Sequence, residues 1–202
     1  MKLLLHPLPV RVFHWTMFAC VMTLLFTGLY IHSPPAWLHL PMSLMRGLHG
    51  MAAAVLVGNL AGQVYYYSYT GKFTEILLLP GDWVNVRSFL RYFLFITEHH
   101  PNYGRYNPGQ KALFSSWGLA VLAAAVSGAA LLFPDDTVRL QRLLGGLNVI
   151  RSGHFLVATY FAATIPFHLY LVFTEEPAKL QAIFTGYVQK EPKTPPPKPK
   201  SP

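Results

Sequence analysis

The stretch HFLVATYFAATIPFH begins and ends with a histidine, His154 and His168, fourteen residues apart with no charged side chain between them. On an α-helix that spacing separates the two imidazoles by about 21 Å along the axis and leaves them within roughly 40° of each other around it. Both then face one interior, at two depths. Two further histidines, His14 and His49, also stand inside apolar runs, near their starts. Ionisable side chains in runs long enough to span a bilayer are costly, and by default they mark function. If consecutive runs alternate in direction, His14 lies at the depth of His168 and His49 at the depth of His154. Each depth then receives one imidazole from each of two facing helices. A six-coordinate haem needs this donor set, because the porphyrin supplies four nitrogens in a plane and the protein one imidazole on each face. A histidine-held zinc or copper ion, a proton-coupled transporter and plain hydrogen-bonded core histidines compete for the same residues.

The neighbouring residues suit a flat macrocycle. Gly47 and Gly50 flank His49, Gly153 precedes His154, Ala158 and Ala162 follow at helical steps, and Thr27 with Gly28 offers similar room on the first run. Arg11, Arg46 and Arg151 each stand three residues before a proposed ligand. They could pair with haem propionates, as could the Trp15 N–H, or serve as anchors at a membrane interface. Pro166 removes a helix hydrogen bond two residues before His168 and can kink the helix there. All eight Asp and Glu lie outside the apolar runs or at their edges. That weakens the transporter reading, since proton relays usually carry buried carboxylates.

The elements that must position these histidines follow from composition. Of 202 residues 52% are hydrophobic and 12% charged, about half the charged share of an ordinary soluble domain. Roughly 20 apolar residues cross the hydrocarbon core, and four runs qualify, at about 12–31, 48–69, 112–133 and 149–173. The expected fold is an all-α integral membrane protein, a four-helix transmembrane bundle within residues 1–176, with a Lys- and Pro-rich tail over 177–202. The first run lacks a small-residue cleavage site and reads as a retained span. Twelve Lys and Arg fall on the side of the two termini, and only Arg46, Arg139, Arg142 and Arg151 on the other. By the positive-inside rule both termini are cytoplasmic, in a bacterial inner membrane. The formal charge of +8 therefore reads as topology and contact with anionic membrane lipid, not nucleic-acid binding.

Between spans two and three, Trp83, Val86, Leu90, Phe93 and Leu94 share a helical face while Arg87 and Arg91 sit elsewhere, which predicts an interfacial amphipathic helix. Gly58 and Gly62 form a G-x-x-x-G pair for close helix approach. The single cysteine, Cys20, excludes disulfides, Cys-based zinc sites, iron–sulfur clusters and C-x-x-C-H haem attachment within this chain. His32 and His39 read as solvated loop residues; His99 and His100 do too, though they could assist proton entry.

RVFHW in span one, RGLHG opening span two, YNPGQK before span three, and GHF with FH in span four resemble the di-haem cytochrome b subunit of membrane-bound respiratory oxidoreductases. The gamma subunit of formate dehydrogenase is the nearest resemblance, with the b-type cytochromes of nickel–iron hydrogenase and of thiosulfate reductase as relatives. It covers about residues 10–175. It implies two b haems, an inner one on His14 and His168 and an outer one on His49 and His154. It also implies that YNPGQK lines a menaquinone or ubiquinone site beside the inner haem, with Asn107, Gly109, Gln110 and His168 contacting the quinone. Amides can hydrogen-bond a quinone carbonyl, and glycine lets a ring approach the backbone; an ordinary turn capping span three is the bland alternative. The implied partners are an iron–sulfur or cytochrome electron-transfer subunit and a catalytic subunit on the periplasmic side. Electrons run from them to quinone, or in reverse from quinol to a terminal reductase.

Overall fold

A computed structural model describes residues 2–94, 96–97, 106–174 and 177–189. His99, His100 and the tail from residue 190 lie outside the described residues. In chain order the elements are β1 (Lys2–Leu4), α1 (Leu8–His32), α2 (Met42–Tyr69), α3 (Phe73–Ile76), α4 (Trp83–Phe93), α5 (Pro108–Leu132), α6 (Val138–Leu144), α7 (Leu147–Thr174), α8 (Pro177–Thr185) and β2 (Tyr187–Gln189). The four long helices α1, α2, α5 and α7 are each apolar enough to cross a membrane. Their shortest, 25 residues, extends about 38 Å, longer than the roughly 30 Å hydrocarbon core. Each begins a few residues before its apolar run. Pro9 in the first turn of α1, Pro41 before α2 and Pro108 at the start of α5 set this, because proline's fixed φ and missing N–H fit a helix start.

The bundle is built from two hairpins. α1 lies along α2 and α5 along α7, whereas α2 meets α5 and α1 meets α7 only over short stretches. A seam therefore runs between the hairpins. At mid-height it is closed by a core from all four helices, Cys20 and Val21 of α1, Leu56 of α2, Val121 of α5 and Phe161 of α7, with Met17, Leu60, Trp117 and Val157 packed around it. Most large apolar side chains elsewhere on the spans face outward, as a lipid solvent requires: Phe18, Phe26, Val55, Leu119 and Leu156 are all exposed. The α1–α2 and α5–α7 connections gather at one end of the bundle, called distal here. Residues 2–6, the start of α5 and the last turns of α2 and α7 gather at the other, the terminal end.

α4 lies where the amphipathic helix was predicted, against the start of α5. Trp83, Leu90 and Leu94 are exposed, while Phe93 turns inward to meet Phe167 edge-on at 6.0 Å.

Residues 177–189 differ from the predicted tail. They form α8 and β2, and β2 pairs antiparallel with β1, Leu3 opposite Val188. Neither three-residue strand has enough length to show alternation, so only their pairing reveals them. α6, inside the α5–α7 connection, was likewise too short to predict.

Candidate cofactor site

Both histidine pairs cross the seam from one hairpin to the other. At the distal end His49 of α2 and His154 of α7 face each other with ring centroids 6.3 Å apart and planes at 62°. Two imidazoles on opposite sides of one metal, with bonds of about 2 Å and about 1 Å more from nitrogen to ring centre, would place their centroids roughly 6 Å apart. The spacing fits a shared iron. At the terminal end His14 of α1 and His168 of α7 are neighbours across the seam. Phe161 stands midway along α7, seven residues from each histidine, so the two layers are separated by the apolar core.

The distal imidazoles are held by neighbours in their own hairpins. Thr27 Oγ1 lies 2.8 Å from His49 Nδ1, and Ser127 Oγ lies 2.8 Å from His154 Nδ1. Each hydroxyl is also close to the carbonyl one turn back, 2.7 Å to Thr23 and 2.6 Å to Ala123. The glycine after each hydroxyl completes the seat. A Cβ at Gly28 would stand 3.2 Å from His49 Cε1, and one at Gly128 3.3 Å from His154 Cε1. The two hairpins thus repeat one device: a hydroxyl–glycine pair near the distal end of the first helix and a histidine near the start of the second. In the sequence Thr27 and Gly28 read only as spare room, and Ser127 and Gly128 do not stand out. The signal that finds them is the repeated small dipeptide at matching depth in two hairpins.

The terminal-end layer is built differently. Trp117 donates to Thr164 Oγ1 at 2.9 Å and sets its ring edge-on to His168 at 5.2 Å. Asn59 donates to the carbonyl of Phe13 at 3.1 Å, and Gly62 lets Phe13 pack against α2, where a Cβ would come within 3.0 Å. Only this half of the G-x-x-x-G pair makes a close approach, since a Cβ at Gly58 would meet nothing. His14 Nδ1 and Gln63 Nε2 are buried without a hydrogen-bond partner among the described residues. Buried polar atoms of this kind are normally satisfied, so this layer has room in its hydrogen bonding for a polar bound group.

The remaining predicted contacts are distributed as follows. Arg11 donates to the carbonyls of Ile183 and Phe184, and Trp15 Nε1 to that of Ile183 at 3.4 Å, so both cap the end of α8. Arg151 donates to Asn148 Oδ1 at 3.3 Å, and Arg46 is exposed. A Cβ at Gly50 or Gly153 would meet nothing within 4 Å. His32, read as solvated, stacks on Phe155 at 4.3 Å.

In the YNPGQK turn Asn107 is the N-cap of α5. Its Oδ1 accepts from the Gln110 N–H at 2.8 Å while Gln110 Oε1 accepts from the Asn107 N–H at 3.1 Å. The cap employs only the oxygens of these amides. Phe89 of α4 covers Gly109, leaving no room there for a Cβ. Lys111 donates to Asp82 at 2.8 Å and to the Thr74 carbonyl at 3.3 Å. Its hydrogen bond, a second from the Leu79 N–H and the Lys111 charge hold the Asp82 carboxyl below the usual carboxylate range.

Residues 5–186 match the family described as prokaryotic cytochrome b561, and the chain belongs to that family. It is therefore a b-type cytochrome, which implies haem b, and an integral membrane helical bundle. Curated relatives include the probable Ni/Fe-hydrogenase B-type cytochrome subunit of Cupriavidus necator, 23% identical over 89% of this chain and 82% of the relative. The protein of the same description from Azotobacter vinelandii is 25% identical over 89% of this chain and 84% of its own length. Neither supports the weight that the YNPGQK turn gave to formate dehydrogenase.

Proposed function

We propose that the chain is the membrane subunit of a hydrogenase-type respiratory complex, carrying electrons through two bis-histidine b haems to quinone. The observation that supports it best is the pair of two-imidazole layers in the seam between the hairpins. Among the described residues no three His, Cys, Asp or Glu side chains converge. A metal held by two imidazoles alone needs further donors, and a porphyrin brings four of its own. His49 and His154 hold the distal haem, and His14 and His168 the terminal-end haem. Bound there, the haems supply one-electron transfer between the two ends of the bundle. The chain's own residues orient these groups and keep water from the space between them, where Phe161, Val121, Leu56 and Cys20 form an apolar layer.

Quinone binds at the terminal end, beside His168. Asn107 and Gln110 keep their amide N–H₂ groups outside the cap, where they can donate to a quinone carbonyl. Phe89 over Gly109 makes the quinone's approach depend on how that ring sits. By the charge distribution the terminal end is cytoplasmic, so the distal haem faces a catalytic and an electron-transfer subunit on the periplasmic side. The names of the relatives favour a hydrogenase as that partner.

The purified protein will be coloured, with a reduced-minus-oxidised spectrum of b type and about two haems per chain, one for each bis-imidazole layer. A ratio of one or none would overturn the reading.

A further inference from the structure

We propose that Thr27 and Ser127 are positioning residues for the distal haem, fixing both ligand histidines as Nδ1–H tautomers and lowering that haem's reduction potential. The inference rests on the two-haem reading above and concerns only how this chain presents its imidazoles.

Each hydroxyl has one proton and two neighbours that can accept it. The carbonyls of Thr23 and Ala123 have none to give, and they stand 2.7 Å and 2.6 Å from the hydroxyl oxygens. At those separations the O–H must lie between the two oxygens, or their lone pairs would face each other. The hydroxyl oxygen is then left as an acceptor toward the imidazole, so Nδ1 of His49 and of His154 carries the hydrogen and donates it over 2.8 Å. Nε2 keeps its lone pair for the iron. Serine and threonine in membrane helices commonly bond the carbonyl one turn back; here that ordinary bond orients the oxygen.

Orientation is fixed from a second direction. Gly28 and Gly128 leave each ring its space beside the helix, since a Cβ there would stand 3.2 Å from Cε1 of His49 and 3.3 Å from Cε1 of His154. The ring is therefore set between a hydroxyl and a bare helix backbone, in both hairpins alike. His14 has no such partner, since its Nδ1 is unbonded among the described residues. The two layers thus differ in ligand chemistry although both use histidine.

A ligand imidazole that donates from Nδ1 is a stronger donor at Nε2. Stronger donation stabilises ferric over ferrous iron, and hydrogen bonding around the ligands is one of the levers on haem potential. The hydroxyls therefore lower the potential of the distal haem and favour passage of its electrons toward the terminal end.

The test is a redox titration of the purified haem protein, followed optically and by the low-spin ferric signals in electron paramagnetic resonance. Thr27→Val and Ser127→Ala are compared with Thr27→Ser and Ser127→Thr, which keep the hydroxyl. Expected is an upward shift of one haem's potential, the same haem in both variants and the one missing from His49→Ala, with the other haem unmoved. The hydroxyl-keeping variants should titrate as the wild type does. If Ser127→Ala instead loses that haem and Ser127→Thr retains it, the positioning role holds and the Thr27→Val titration decides the potential, an unmoved or lowered value there overturning the proposal. Unchanged potentials and signals in both Thr27→Val and Ser127→Ala, or a loss that threonine does not reverse, would overturn it while leaving the two-haem reading intact. A wild-type protein without haem would overturn that reading first.

Discussion

An imidazole inside a bilayer bundle can be retained as a hydrogen-bonded core group or as a ligand, and the two uses respond differently to its removal. His49→Ala should lower the haem content from about two to about one per chain, one bis-imidazole site being lost, with the remaining spectrum that of the terminal-end haem. Haem quantification and the difference spectrum check it; retention of both haems would reduce His49 to packing. The four histidines stand out in the sequence as candidates because an imidazole within an apolar run is costly and needs a partner. Their two hydroxyl partners were not, since a Ser or Thr on such a helix has a local carbonyl to bond and shows nothing unusual in sequence. Thr27 and Ser127 become distinct only when the hairpins bring them to 2.8 Å from a ring nitrogen. For the turn residues Asn107 and Gln110 the sequence leaves a turn capping span three as the alternative to a quinone contact, and the structure contains a capping box there.

Among the elements, the spans follow from hydropathy to within a few residues, because about 20 consecutive apolar residues have few other uses. The terminal-end elements do not. β1 and β2 exist through a pairing over more than 180 positions of chain, and α8 is capped by Arg11 and Trp15 from the opposite end of the sequence. Side chains that look like propionate partners or interface anchors by position thus have carbonyls to satisfy. The segment from α3 to α4 is tied to α5 in a related way, by Lys111 to Asp82 and by Ser115 Oγ accepting the Leu78 N–H at 2.9 Å. Because the Asp82 carboxyl is held low, its contribution is complete above the unfolded carboxylate value of 3.8 and disappears as pH falls through the depressed folded value. Ion pairs near a surface are worth below about 1 kcal/mol, so the effect is local. Hydrogen-exchange protection of the amides over 77–82 should fall by up to about fivefold in Asp82→Asn at neutral pH, and protection in the wild type, measured against the intrinsic rate at each pH, should fall to the same level only in strong acid. Equal rates in both proteins at neutral pH would show that the Ser115 bond alone holds the segment.

On the scale of the whole molecule, function depends on which end of the seam faces which compartment. The two histidine layers are unlike: the distal one is closed by hydroxyls and glycines, and the terminal one adjoins the α5 cap, α4 and the α8 clasp. An electron path that ends at a quinone on the cytoplasmic side separates charge across the bilayer in one sense, and the reverse placement separates it in the opposite sense. Most Lys and Arg among the described residues, Lys72, Arg87, Arg91 and Lys111 among them, lie at the terminal end, a bias that supports a cytoplasmic placement of that end. The chain is suited to a direct test, because its one cysteine, Cys20, is buried among the spans and gives no background to a membrane-impermeant maleimide. Arg139→Cys, exposed on α6 at the distal end, should be labelled in intact spheroplasts, and Lys72→Cys, exposed after α2 at the terminal end, should be labelled only once the membrane is opened. The opposite pattern would place the distal haem toward the cytoplasmic face. The partner subunits would then have to dock on that side, and the quinone would exchange protons with the periplasm, so this one labelling pattern fixes the sign of the charge the complex moves.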